Sequence, residues 1–129
     1  MTYTINGVEH TEFYINQRCA ELLGLIVQTE FQDFIGFTEM FHEAYPNTVW
    51  CAEVDEIGVQ VGAWEQMVFT RYPENTWTII EKCWDELNVL YANGVTKVIT
   101  KWQRAIEKHK CTKLIAACIC YIEIKEGKL

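Results

Sequence analysis

Residues 67–92 read MVFTRYPENTWTIIEKCWDELNVLYA, and the parsing of this stretch decides the fold. Met67-Val68-Phe69-Thr70 is a short apolar run with strand character, and Arg71-Tyr72-Pro73-Glu74-Asn75 is a polar turn. From Thr76 to Ala92 the apolar residues Trp77, Ile80, Cys83, Trp84, Leu87, Leu90 and Tyr91 recur at helical spacing, which predicts a helix. Asn75 or Thr76 can accept from its first free N–H groups, and Pro73-Glu74 suits the entry. Asn93-Gly94 ends it, because Gly takes positive φ without strain. A second strand, Val95 to Thr100, follows at once. The pattern predicts a βαβ unit with its two strands parallel in one sheet. Trp77 and Trp84, seven residues apart, are expected on the buried helix face. In such a unit the first turn is the natural ligand site, since helix N–H groups there point at an anion.

Further along, residues 103–110 predict a short helix with little apolar content, Ala105 and Ile106. Leu114 to Ile124 is β-branched, Cys-rich and almost uncharged, which predicts a buried strand. Upstream, Thr48–Val54 and Val59–Trp64 predict strands joined by Asp55-Glu56-Ile57-Gly58. A helix is predicted from about Phe13, with Ile15, Cys19, Leu22, Leu23 and Ile26 on one face and Gly24 a weak point. A second helix, Glu30 to Ala44, carries Phe31, Phe34, Ile35, Phe37, Met40 and Phe41 and stops at Tyr45-Pro46-Asn47. That aromatic stripe is read as core or as one wall of a substrate groove. Thr2–Ile5 is a weak strand before an Asn6-Gly7 turn signal. The order is β, α, α, β, β, β, α, β, α, β: one α+β (or α/β) domain with a mixed sheet flanked by helices.

The 129 residues suit one domain, and a 50% apolar, 13% aromatic composition argues against disorder. No apolar run reaches the ~20 residues of a membrane span. The first twelve residues lack the basic and apolar regions of a signal peptide. The expectation is a soluble cytoplasmic protein with no membrane partner.

The six cysteines form no Cys-x-x-Cys pair, and His10, His42 and His109 are scattered, so neither metal nor disulfide is expected. Cys118 and Cys120 are expected on one strand face. Residues 1–64 hold ten acids and one base, net −9, while residues 65–129 hold eight acids and ten bases, net +2. Such a balance argues against nucleic acid as partner. The acidic half suits a cationic partner and the basic half an anionic ligand.

Three pieces carry a likeness. Cys51-Ala-Glu-Val-Asp-Glu-Ile-Gly-Val-Gln-Val-Gly-Ala-Trp64 is a strand hairpin. Ala92-Asn-Gly-Val-Thr-Lys-Val-Ile-Thr100 is a helix end followed by a strand, and Arg104-Ala-Ile-Glu-Lys-His-Lys110 is a helix. In this order they resemble the second and third strands, the fifth strand and the fourth helix of the GNAT acetyl-CoA-dependent N-acyltransferase superfamily. The likeness covers about residues 48–124.

The resemblance implies acetyl-CoA as cofactor. Its pyrophosphate would lie on the N–H groups of about Asn75, Thr76, Trp77 and Thr78, with Arg71 on a phosphate oxygen. Lys101, Arg104 and Lys108 would meet the 3′-phosphate. Glu65 would be the general base for a small-molecule or protein amine. The chain departs from the family at its signature. The turn 71–77 has no Gly, Pro73 removes a donor and Glu74 is negative. Ile106 stands where many members have Tyr, and Trp102 and Gln103 stand where an Asn is expected. The reading is therefore a degenerate member, with weak or absent acetyl-CoA binding expected. The alternative is a non-catalytic module on the same fold, of the phage internal virion protein type. It would contact a protein through its acidic half and Phe31, Phe34, Phe37 and Phe41, in the host cytoplasm or the virion. An unrelated α+β module, such as an acidic inhibitor, is the third class.

Overall fold

The computed structural model describes residues 2–28 and 47–127. The predicted helix Glu30–Ala44, with its aromatic stripe, lies outside the described residues. The chain opens with a hairpin of β1 (Thr2–Ile5) and β2 (Val8–Thr11). Asn6 and Gly7 both take positive φ, 50° and 83°, as the Asn-Gly signal requires of a two-residue turn. Helix α1 (Glu12–Leu22) follows, with the Thr11 hydroxyl accepting from the Tyr14 N–H at 3.2 Å. The predicted continuation to Ile26 does not form. Gly24 turns the chain at φ 85°, and Ile26 starts β3 (Ile26–Gln28).

Strands β3, β4 (Val49–Val54) and β5 (Gln60–Met67) form one antiparallel sheet. Between β4 and β5 the Asp55 carboxylate accepts from the N–H groups of Ile57 and Val59 at 3.0 and 2.9 Å, and Gly58 takes φ 87°. β5 runs without a break through Glu65 and Gln66, so Met67–Thr70 is no separate strand: Met67 ends β5 and Val68–Thr70 turn away, buried. Helices α2 (Pro73–Lys82) and α3 (Trp84–Leu87), strands β6 (Leu90–Ala92) and β7 (Val98–Thr100), and helices α4 (Lys101–His109) and α5 (Lys113–Glu126) complete the order. α4 is the short helix expected there. It begins at a Thr100 cap that accepts from Gln103 N–H, and ends at left-handed Lys110.

The α+β class stands, and the predicted βαβ unit does not. The single helix expected to Ala92 breaks at Cys83 (φ −125°, ψ 24°), whose thiol donates to the Ile79 carbonyl at 3.2 Å. After α3, β6 pairs antiparallel with β7, not β7 parallel with the Met67 strand. A hairpin closed by the loop 93–97 joins near neighbours, and a short closure costs less entropy than a crossover. All strand pairs among the described residues are antiparallel, so the mixed sheet is not seen there.

The second correction is α5. The run expected as a strand is a helix with eight consecutive buried residues, Ile115 to Ile122. It packs on α1, α2, α4 and β1 and is the centre of the core. An isolated run apolar on every side has no period, and its length favours the helix: a strand this long would exceed the usual four to eight residues. Cys118 and Cys120 therefore point different ways. Cys118 Sγ donates to the Phe69 carbonyl at 3.3 Å, while Cys120 lines a cavity beside α4. All six cysteines are free thiols.

Trp77 and Trp84 are not in the core. They are 54% and 49% exposed. The inner stripe of α2 is Thr76, Ile79 and Ile80, with Cys83 just after it, a helical spacing that leaves Trp77 outside. The break at Cys83 then takes Trp84 off that helix altogether.

Candidate functional site

The turn at Arg71 is a latch between α1 and the exit of β5. Arg71 Nε and one terminal nitrogen donate to the two Glu12 oxygens at 2.7 and 3.0 Å. The Thr70 hydroxyl donates to the same carboxylate at 2.7 Å. Asn16, fully buried, accepts from Thr70 N–H at 3.1 Å and donates to Thr70 Oγ1 at 2.9 Å. Asn75 accepts from Val68 N–H at 2.9 Å, and the buried Thr76 hydroxyl donates to the carbonyls of Phe69 and Tyr72.

These bonds use up what the resemblance reserved for a pyrophosphate. The N–H groups of Arg71 and Tyr72 go to Val68 O, and those of Asn75 and Thr76 go to Tyr72 O. Pro73 has none. Arg71 is paired, and Glu74 adds negative charge at the helix start. The residues present do not fit the pyrophosphate of acetyl-CoA.

The latch has a pH signature. Burial alone would raise the Glu12 carboxyl, but hydrogen bonds from Arg71 and Thr70 and the Arg71 charge hold it below its usual value. A depressed folded-state pKa stabilises fully above the unfolded value of about 4.3, and that contribution is lost as pH falls through the folded value. Wild type is therefore expected to exceed Glu12→Gln in urea midpoint at pH 7 and to converge with it well below pH ~4. Parallel pH curves for the two proteins would remove the latch.

A hollow of about 780 Å³ beside the latch is lined by Tyr3, Glu12, Arg71 and Thr112 among others. Its described charges, Glu12 and Arg71, are spent on each other.

Glu65 lies elsewhere. The β4–β5 register sets it opposite Cys51, and a bulge between Cys51 and Glu53 shifts the pairing beyond. A cavity of about 380 Å³ brings Glu65 together with Asn75 and Thr78, and with Glu53, Glu74 and Lys82. Its apolar walls are Leu23, Leu25, Met67 and Phe69. A smaller cavity of about 160 Å³ shares Leu25, Glu53, Glu65 and Met67, so the two make one groove along β5. The Cys51 thiol in it is pushed up to about 12, by burial first and then by the Glu65 charge. It stays protonated at neutral pH.

Lys101, Arg104 and Lys108 come together in a third place. They line a cavity of about 240 Å³ with Tyr91, His109 and Glu123. The nine residues read as one acyl-CoA site thus divide among the latch (Arg71, Thr76), the groove (Glu65, Asn75, Thr78) and the basic cavity. Trp77 stands exposed outside all three. Glu53 and Lys82 were missed as groove residues. Burial along β4 does not alternate at Cys51, Ala52 and Glu53, and the register shifts there, so the strand period did not mark Glu53. Lys82 follows Thr78 by one helical turn. Among the described residues no three His, Cys, Asp or Glu side chains are grouped to hold a metal, and no helix is long and apolar enough to cross a membrane. Comparison with protein-family models, curated proteins and solved structures returned no match.

Proposed function

We propose that the chain is a binding module for a cationic partner, a protein that places a lysine or arginine side chain in the groove along β5. One observation carries this reading: Glu53, Glu65 and Glu74 reach one cavity from three elements over an apolar floor, and among the described residues Lys82 is the one cation there. Such a site suits a side chain with an aliphatic stem and a charged end. The stem would lie on Leu23, Leu25 and Met67, and the charge among the carboxylates. The net −9 of residues 1–64 would draw such a partner in.

The test is a titration with an acetyl-capped lysine amide and with a Lys-rich peptide, followed by amide chemical shifts. Saturable shifts at Glu53, Glu65 and Glu74 to Lys82 are expected. They weaken about tenfold in Glu65→Gln/Glu74→Gln and with added salt. No saturable change at these residues with about 10 mM probe would end the reading.

Amine acetylation is the second reading. It is favoured by Glu65 sharing its cavity with Asn75 and Thr78. It needs acetyl-CoA held by other residues than the turn at Arg71. Acetyl-CoA binding at about ten micromolar or tighter, with lysine-peptide acetylation lost in Glu65→Gln, would carry it. No heat at about millimolar acetyl-CoA would leave the binding module.

A further inference from the structure

The cavity beside α4 has the opposite charge and, among the described residues, shares no lining residue with the groove. Lys101, Arg104 and Lys108 sit three and four residues apart, so one stripe of α4 presents all three cations to it. Among the described residues none of the three is held in an ion pair. The Arg104 guanidinium lies over the Tyr91 ring, 4.9 Å from its centre, which restrains its plane. Beneath them Ala105 and Cys120 form a buried floor. Burial first, then Glu123, pushes the Cys120 thiol up to about 12, so it adds no negative charge. Burial and then Lys108 lower His109, leaving it neutral near pH 7 with a ring N–H to donate. Among the described residues Glu123 is the one carboxylate in the lining, against three cations.

We propose that this cavity binds a phosphate dianion, free or as the monoester of a small molecule. The excess of two positive charges matches a dianion. The planar guanidinium can donate two parallel hydrogen bonds to phosphate oxygens, and the two lysines supply mobile donors. The 240 Å³ is about eight times the ~30 Å³ share of one water, room for phosphate and a small organic group.

The test titrates the full chain with inorganic phosphate and, separately, with ribose 5-phosphate. Chloride at matched ionic strength is the control, and amide chemical shifts are the readout. Saturable shifts confined to Tyr91, Lys101 to His109 and Cys120 to Glu123 are expected, and binding weakens about tenfold in Arg104→Gln and in Lys108→Gln. Both side chains are exposed, so the far-ultraviolet circular dichroism of each variant should match wild type. Equal affinities assign the site to the free anion, and tighter binding of the sugar phosphate assigns it to a monoester. Shifts that rise linearly with phosphate, or saturable binding that survives both substitutions, overturn the proposal.

Discussion

Replacing Tyr121 with Ala is expected to lower stability by about 3–5 kcal/mol, the range of a large aromatic removed from a packed core. Tyr121 is the largest fully buried side chain of the central helix, and its hydroxyl donates to the Leu22 carbonyl at the end of α1 at 3.3 Å. The ring therefore joins α5 to α1 twice, through packing and through a hydrogen bond. Tyr121→Phe separates the two. It keeps the ring and is expected to lose only about 1 kcal/mol. Urea unfolding followed by circular dichroism reads both. A loss under about 1 kcal/mol for Tyr121→Ala would mean that α5 is not the centre of the core. Helix α5 buries both Ile119 and Cys120, so Ile119→Ala should also be costly, by about 2–5 kcal/mol.

The second large effect is expected at Asn16. It is fully buried, and three hydrogen bonds tie its amide to Thr70 and to the Glu12 carbonyl. Asn16→Ala leaves the buried Thr70 N–H without its acceptor and removes a donor to the Thr70 hydroxyl. Each orphaned buried group costs about 1–3 kcal/mol, so a loss of about 2–4 kcal/mol is expected. Thr70→Val removes part of the same network. In a double-mutant cycle the two losses should fall short of adding, with a coupling of about 1 kcal/mol or more. Strict additivity would show that the two side chains do not act through each other.

Local chemistry made part of this fold legible. Asn6-Gly7 sets a two-residue turn because both positions need positive φ, and Asp55 to Gly58 closes a hairpin through one carboxylate. Thr11 and Thr100 cap α1 and α4 from within three residues. Of the α4 cations, Arg104 and Lys108 lie one turn apart on the helix expected over residues 103–110, while Lys101 joins their stripe only because α4 begins at Lys101; the three were first grouped by the resemblance.

Other features depended on contacts beyond a single turn or cap. Residues 115–122 are apolar on every side, so no polar face marks a period; the length of the run favours a helix, and packing on α1, α2 and α4 fixes it. Leu90 to Ala92 continues a helical pattern in sequence, yet pairing with Val98 to Thr100 draws it into a strand. Arg71 looked free to meet a phosphate because Glu12, 59 residues away, is its partner only once α1 has packed. The groove carboxylates come from β4, β5 and α2, and their meeting depends on strand register and on where α2 docks. A short turn or cap is decided by a few neighbouring residues. Burial, register and ion pairing are decided by which distant surfaces meet.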